Sequence, residues 1–234
     1  MRENPAGEAK NGGIRLLFDR RLRLEFRGAR ITSDAGLLAV RELDEMMGLT
    51  DMAADLIVEG RTGKNIQHQI PGLLRQAVYA RLAGYEDVND QESLARDPAM
   101  RAVIGKRALD RTAASSGTVS RFETEILTQD ENIEALAALN SAWVSKTVSF
   151  SKAKKVVLDI DSSESPVHGN QEGSAYNGHF ESNCYHPLFC FNNYGDCEGA
   201  VLRPGNVHSA DGWREFLSPI VDTCKKPKSR HASP

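Results

Sequence analysis

The chain has 234 residues, of which 40% are hydrophobic and 26% charged, the composition of an ordinary soluble globular protein with room for one large domain or two small ones. A formal net charge of −3 gives no overall attraction to nucleic acid or to an anionic membrane, and no apolar run approaches the roughly 20 residues of a spanning helix. The cysteines (Cys184, Cys190, Cys197, Cys224) fall in the last quarter, and without a secretion signal they read as reduced thiols of a cytoplasmic protein.

In chain order, residues 1–13 are polar and Gly/Pro-containing and read as a flexible leader. Between Ile14 and Ser33 lie Arg15, Arg20, Arg21, Arg23, Arg27 and Arg30 against only Asp19 and Glu25. Leu16, Phe18, Leu22, Leu24 and Phe26 interleave with them, which predicts an edge strand or hairpin with one basic face, suited to phosphate contacts. The competing reading is a solvated face of an ordinary amphipathic strand. From Thr32 the period becomes helical. Thr32 or Ser33 is placed to cap a helix with an apolar stripe of Leu37, Leu38, Val40, Leu43, Met46 and Met47, ended by Gly48. A short helix follows around 51–58, and another starts near Pro71 and runs to Gly84. The same style continues over 89–104, with Pro98 opening a new turn, so everything from 34 to about 146 reads as a helical bundle.

Within that bundle, Ala114–Glu123 has small residues, then a helix opening with Thr118, Ser120 and Arg121, with Ser116 or Thr118 available as a cap. Recognition helices of helix-turn-helix modules begin in this way, as do ordinary capped surface helices. After Lys152-Ala153-Lys154-Lys155 the pattern turns to β. Strands are expected at Val156–Ile160, Tyr185–Phe191 and Glu198–Arg203, with a polar loop over 162–182 and turns at 192–196 and 204–206. Ser209 or Asp211 is then expected to cap a helix carrying Trp213, Phe216, Leu217, Ile220 and Val221 on its inner side. The tail from Cys224 to Pro234 has cations, prolines and no apolar period, and reads as disordered.

Asp159 and Asp161, spaced by two on one strand, share a face. Such a pair beside a loop points to a hard divalent cation, usually magnesium, bound through oxygen. Two-metal phosphodiester hydrolysis or strand transfer uses sites of this kind with further carboxylates from other elements. The alternative is that one Asp caps the strand or the following turn while the other faces solvent. Cys184, His186, Cys190, Cys197 and His208 lie in one stretch, but their spacings do not match structural zinc sites. Cys190 sits among Leu188, Phe189 and Phe191, where a free cysteine packs as a small hydrophobe.

Several blocks then occur in one order: Ile31-Thr32-Ser33-Asp34-Ala35-Gly36-Leu37-Leu38; Gly84-Tyr85-Glu86-Asp87 with Asn89-Asp90; Ser120-Arg121-Phe122-Glu123; Leu158-Asp159-Ile160-Asp161 with His168-Gly169; and Leu202-Arg203-Pro204-Gly205-Asn206-Val207-His208-Ser209. On these the chain resembles the group-1 DDE-domain insertion-sequence transposases of bacteria. The resemblance implies an α+β protein: a basic segment and helical DNA-binding region over 14–150, then the first part of an RNase H-like domain over 154–223, with a basic tail over 224–234. It implies magnesium held by two Asp and one Glu, with terminal inverted-repeat DNA as partner, a nucleoid-associated cytoplasmic location, and self-association or association with full-length transposase.

Carried onto this sequence, Asp161 before Ser162-Ser163 is the expected first catalytic and metal ligand, with Asp159 the alternative. Arg20, Arg21, Arg23, Arg27, Thr118, Ser120 and Arg121 are the expected DNA contacts. The family's second Asp lies on the strand after the last predicted helix and its Glu much later. The expectation is therefore a truncated transposase that retains DNA binding and lacks catalysis alone, or a non-catalytic inhibitory partner of the full-length enzyme. A tight turn plus a helix cap, with His208 in a local hydrogen bond, accounts for the Arg203–Ser209 block.

Overall fold

A computed structural model of the chain describes residues 14–24, 34–62, 66–148, 155–169 and 171–225. The chain divides into two compact units, Met1–Ile133 and Glu134–Pro234. The leader, Arg27 and the last nine residues lie outside the described residues.

The first unit opens with a hairpin, β1 (Ile14–Arg15) antiparallel to β2 (Arg23–Leu24). Its apolar side is anchored: Leu16 is fully buried, the Leu17 N–H donates to Glu42 at 2.7 Å, and the Phe18 ring lies 5.1 Å below the Arg41 guanidinium. A 3-10 turn at Asp34–Gly36 leads into α1 (Leu37–Met47), which ends where Gly48 takes the left-handed conformation at φ 70°. The expected caps Thr32 and Ser33 lie outside the described residues. Then follow α2 (Leu49–Leu56), α3 (Ile70–Leu82) with Pro71 in its first turn, and α4 (Gln91–Leu94). The run closes with α5 (Pro98–Ile104), α6 (Lys106–Asp110) and α7 (Ser116–Arg121), and α8 (Asp130–Val148) begins in this unit and continues into the second. Leu37, Tyr79, Ala80, Leu94, Met100, Val103 and Ala113 share the core.

The inner face of α1 departs from the apolar stripe read in the sequence. Leu43 and Met46 are 55% and 66% exposed, whereas Arg41 and Asp44 are buried. Asp44 accepts from the Thr50 N–H at 2.9 Å, the Thr50 hydroxyl and the Tyr79 hydroxyl at 2.7 Å, with Arg41 and Arg75 at 3.5 and 3.8 Å. Donors from α1, α2 and α3 converge on this carboxylate, so the buried side of α1 turns toward charge rather than toward Leu43.

In the second unit, β3 (Leu158–Ser162) precedes β4 (Ser165–Pro166), β5 (Ala175–Asn177), β6 (Ser182–Tyr185), β7 (Leu188–Asn192), β8 (Cys197–Val201) and α9 (Trp213–Lys225). One antiparallel sheet has the order β3-β7-β8 and a second has β4-β6-β5. The polar loop over 162–182 contains strands of its own, and the strand read over 185–191 is two strands, because Pro187 lacks the N–H needed to continue a ladder. The Asp211 side chain accepts from the His208 N–H at 2.9 Å, closing the turn ahead of α9 rather than capping the helix itself. Helix α9 lies on β8 so closely that a Cβ at Gly199 would come within 2.9 Å of Ile220 Cδ1. Ile220 is buried, while Trp213, expected on the inner side, is 42% exposed.

Candidate functional site

The register of the first sheet fixes its two faces. Ile160, Cys190 and Gly199 form one row, on the side covered by α9. Asp159 opposite Phe191 and Asp161 opposite Phe189 therefore point to the other side. Both carboxylates are exposed, and Asp161 accepts the N–H of its own neighbour Ser162 at 2.9 Å. No lysine, arginine or histidine pairs with either Asp among the described residues, nor does any group of three or more His, Cys, Asp or Glu side chains there gather into a metal-sized cluster. The cysteines and histidines over 184–208 are likewise dispersed. Cys184 and Cys190 are fully buried, and burial with Glu198 nearby pushes the Cys190 thiol up to about 11.

The basic hairpin places Arg15 directly opposite Arg23, two like charges that repel unless an anion sits over them. Arg15, Arg20 and Arg23 are exposed and form no ion pair among the described residues. Arg21 differs: it closes the turn against Asp19 at 2.7 Å, and its hydrogen bonds hold the Asp19 carboxyl down to about 2. Arg21 is thus a turn clamp whose charge is already matched.

At the second predicted contact, helix α7 has only six residues and continues as a π-helical turn over Phe122–Ile126. Its preceding residue is Ser115, not Ser116 or Thr118 as expected. The Ser116 hydroxyl donates to Glu92 at 2.8 Å, while the Ser115 and Thr118 hydroxyls lie 3.1 Å apart. The buried Gln76 carboxamide holds the approach to α7, donating to the Ala114 carbonyl at 2.8 Å and accepting its N–H at 2.9 Å. Phe122 is buried and Glu123 takes a bidentate pair from Arg81 at 2.8 and 3.0 Å, which leaves Arg121 outward. Thr118 and Arg121 line a cleft of about 670 Å³ with Arg61, Gln67, His68, Thr112 and Ser115; Ser120 is half-buried and outside that lining.

Arg61 and His68 were not singled out in the sequence, since they sit far from α7 along the chain with no local motif. Burial, with Arg107 and Arg61 nearby, disfavours a proton on His68. The lining carries no carboxylate, although Arg61 is held by Glu59 beside it.

The Arg203–Ser209 block is a loop built around one buried guanidinium. Arg203 donates to the carbonyls of His186 at 2.9 Å, Asp211 at 2.6 Å and Ser209 at 3.3 Å. Gly205 runs so close to the Ala175 and Cys184 carbonyls that no side chain fits. His208 makes a local bond, accepting from the Ala210 N–H at 3.2 Å. In the first unit, Tyr85 donates to Asp34 at 3.3 Å, joining two further blocks of the resemblance.

The family model described as transposase DDE domain group 1 matches residues 14–232, and the chain belongs to this family of transposases. No curated protein and no solved structure matches the chain. Among the described residues, no helix is long and apolar enough to cross a membrane.

Proposed function

We propose that the chain works in DNA transposition, engaging the phosphate backbone through its basic hairpin and the α7 cleft. In this reading it contributes Asp161, with Asp159 beside it, to a magnesium-dependent site for phosphodiester hydrolysis and strand transfer. The observation that carries the reading is the pair of exposed carboxylates on the face of β3 opposite α9, unneutralised by any described cation. An antiparallel order β8-β7-β3 followed by a helix against the sheet supports an RNase H-like beginning, with the open edge of β3 beside the acids.

The donor set fits a hard divalent ion: both ligands are carboxylates, and Asp161 keeps lone pairs free beyond the one taken by the Ser162 N–H. When bound, magnesium supplies charge stabilisation to the attacking and leaving oxygens. The polypeptide's own part is to hold Asp161 at a strand end on a rigid ladder and to grip the DNA backbone with Arg15, Arg20, Arg23 and Arg121. The remaining carboxylates come from outside the described residues, in this polypeptide or in another transposase chain. A second reading, a DNA-binding or inhibitory partner of a full-length transposase, needs only the basic hairpin with Arg15 opposite Arg23.

Titrating the full chain onto duplexes with terminal inverted repeats and onto random duplexes, over a salt series, tests the binding. Preference for the repeats is expected, with log affinity falling by about 0.9 per phosphate contact per log unit of salt. Equal binding to random DNA overturns specific recognition. Adding magnesium then separates the two readings. Strand cleavage abolished by Asp161→Asn supports catalysis by this chain, whereas inhibition of a full-length transposase without cleavage supports the partner role.

A further inference from the structure

In the second unit, Tyr176, His179, Phe180, His186, Asn206 and His208 line a cleft of about 540 Å³ that the carboxylate site does not use. We infer that this cleft takes one unpaired nucleobase of a DNA strand held at Asp161, an inference that rests on the DNA reading above. Its position follows from the ladder: Ser162 pairs with Leu188, and the Ser163 N–H donates to the Pro187 carbonyl at 3.2 Å, which puts His186 just past the carboxylate end of β3.

The walls suit a flat heteroaromatic ring. Tyr176 is 60% exposed, and Phe180 meets His179 and His186 edge-on at centroid distances of 5.0 and 5.8 Å. Asn177 spends its carboxamide on backbone, donating to the Gly205 carbonyl at 2.6 Å and accepting from the His179 N–H at 2.8 Å, so it sets the ring positions rather than binding ligand.

Buried His186 and exposed His208 are fixed in opposite roles. The Nδ1 of His186 lies 3.1 Å from the Val207 carbonyl, which requires a proton there and leaves Nε2 an acceptor. The Nδ1 of His208 accepts from the Ala210 N–H, which leaves its proton on Nε2 as a donor. A nucleobase edge presents this complementary donor-and-acceptor pair once it leaves its duplex partner. No carboxylate lines the cleft to repel the attached phosphates.

The full chain is titrated with a single-stranded oligonucleotide ending in 2-aminopurine, and separately with a fully paired duplex. Stacking predicts quenched fluorescence, with about tenfold weaker binding of the single strand in Tyr176→Ala and unchanged duplex affinity. His186→Asn keeps an N–H for the Val207 carbonyl and removes the Nε2 acceptor. It is expected to fold with a somewhat lower melting temperature, since the ring contact to Phe180 is lost, and to lose discrimination among oligonucleotides ending in different bases. Unquenched fluorescence, or unchanged single-strand affinity in both variants, overturns the cleft assignment while duplex binding upholds the DNA reading. Quenching without duplex binding upholds the cleft and overturns that reading, and failure of both overturns both.

Discussion

Asp44 in the helical unit and Asp161 in the sheet unit are treated in opposite ways. Asp44 is sealed among Arg41, Arg75, Thr50 and Tyr79, and Arg41 in turn reaches Glu45 at 2.6 Å and the face of Phe18. Asp161 stands exposed on a strand that otherwise alternates toward a covered face, with only a neighbouring N–H for company. A carboxylate surrounded by matched donors is a structural hub, and one held rigid yet unneutralised is available to an external cation. The difference lies in the surroundings, since the residue type is the same.

Asp44→Ala takes the shared carboxylate from buried Arg41 and partly buried Arg75, leaving them only Glu45 and Asp51, and strips the partner from the Thr50 and Tyr79 hydroxyls, so a loss of about 3–5 kcal/mol is expected from urea unfolding. A loss below about 1 kcal/mol would show that the cluster relaxes and that Asp44 is no hub. Tyr79→Phe removes a single donor to the charged carboxylate and should cost about 1.5–3 kcal/mol by the same measurement.

Acid should act through the same residue. Burial alone raises the Asp44 pKa, but the Thr50 and Tyr79 hydrogen bonds and Arg41 outweigh it and the net shift is downward. The folded chain therefore binds this proton less readily than the unfolded chain. The stabilisation is complete above about pH 4 and drains away as pH falls from there toward the lower folded value. Urea midpoints from pH 6 to pH 3 should fall more steeply in the parent than in Asp44→Asn.

Much of this was legible in the sequence, and the failures have physical causes. Gly48 as a helix stop, Pro71 as a helix start and the basic hairpin follow from local backbone preferences, and the facing of Asp159 and Asp161 follows from strand period alone. The polar hub was hidden because Arg41 and Asp44 find partners on α2 and α3, and single-helix periodicity sees only Leu43 and Met46 nearby. Strands β4 and β5 were missed because they are two and three residues long and held by pairing with β6, not by composition. The cleft behind α7 depends on Arg61 and His68, brought there by tertiary packing. The Arg21–Asp19 pair is invisible to a charge count, because Arg21 counts the same in a sequence whether or not a carboxylate two residues away folds back onto it.

The smallest effect on stability is the most diagnostic for function. Asp161→Asn keeps the shape of the side chain and its oxygen for the Ser162 N–H, and no described cation loses a partner, so unfolding should shift by no more than about 0.5 kcal/mol. Ferrous iron can replace magnesium at such oxygen sites and, with peroxide and ascorbate, cut the polypeptide near its ligands. Mass spectrometry of the parent should then find cuts close to 159–161 that Asp161→Asn loses, while Asp44→Asn, if it still folds, keeps them. Cuts spread evenly along the parent chain would mean that exposure of the two carboxylates does not by itself make a cation site.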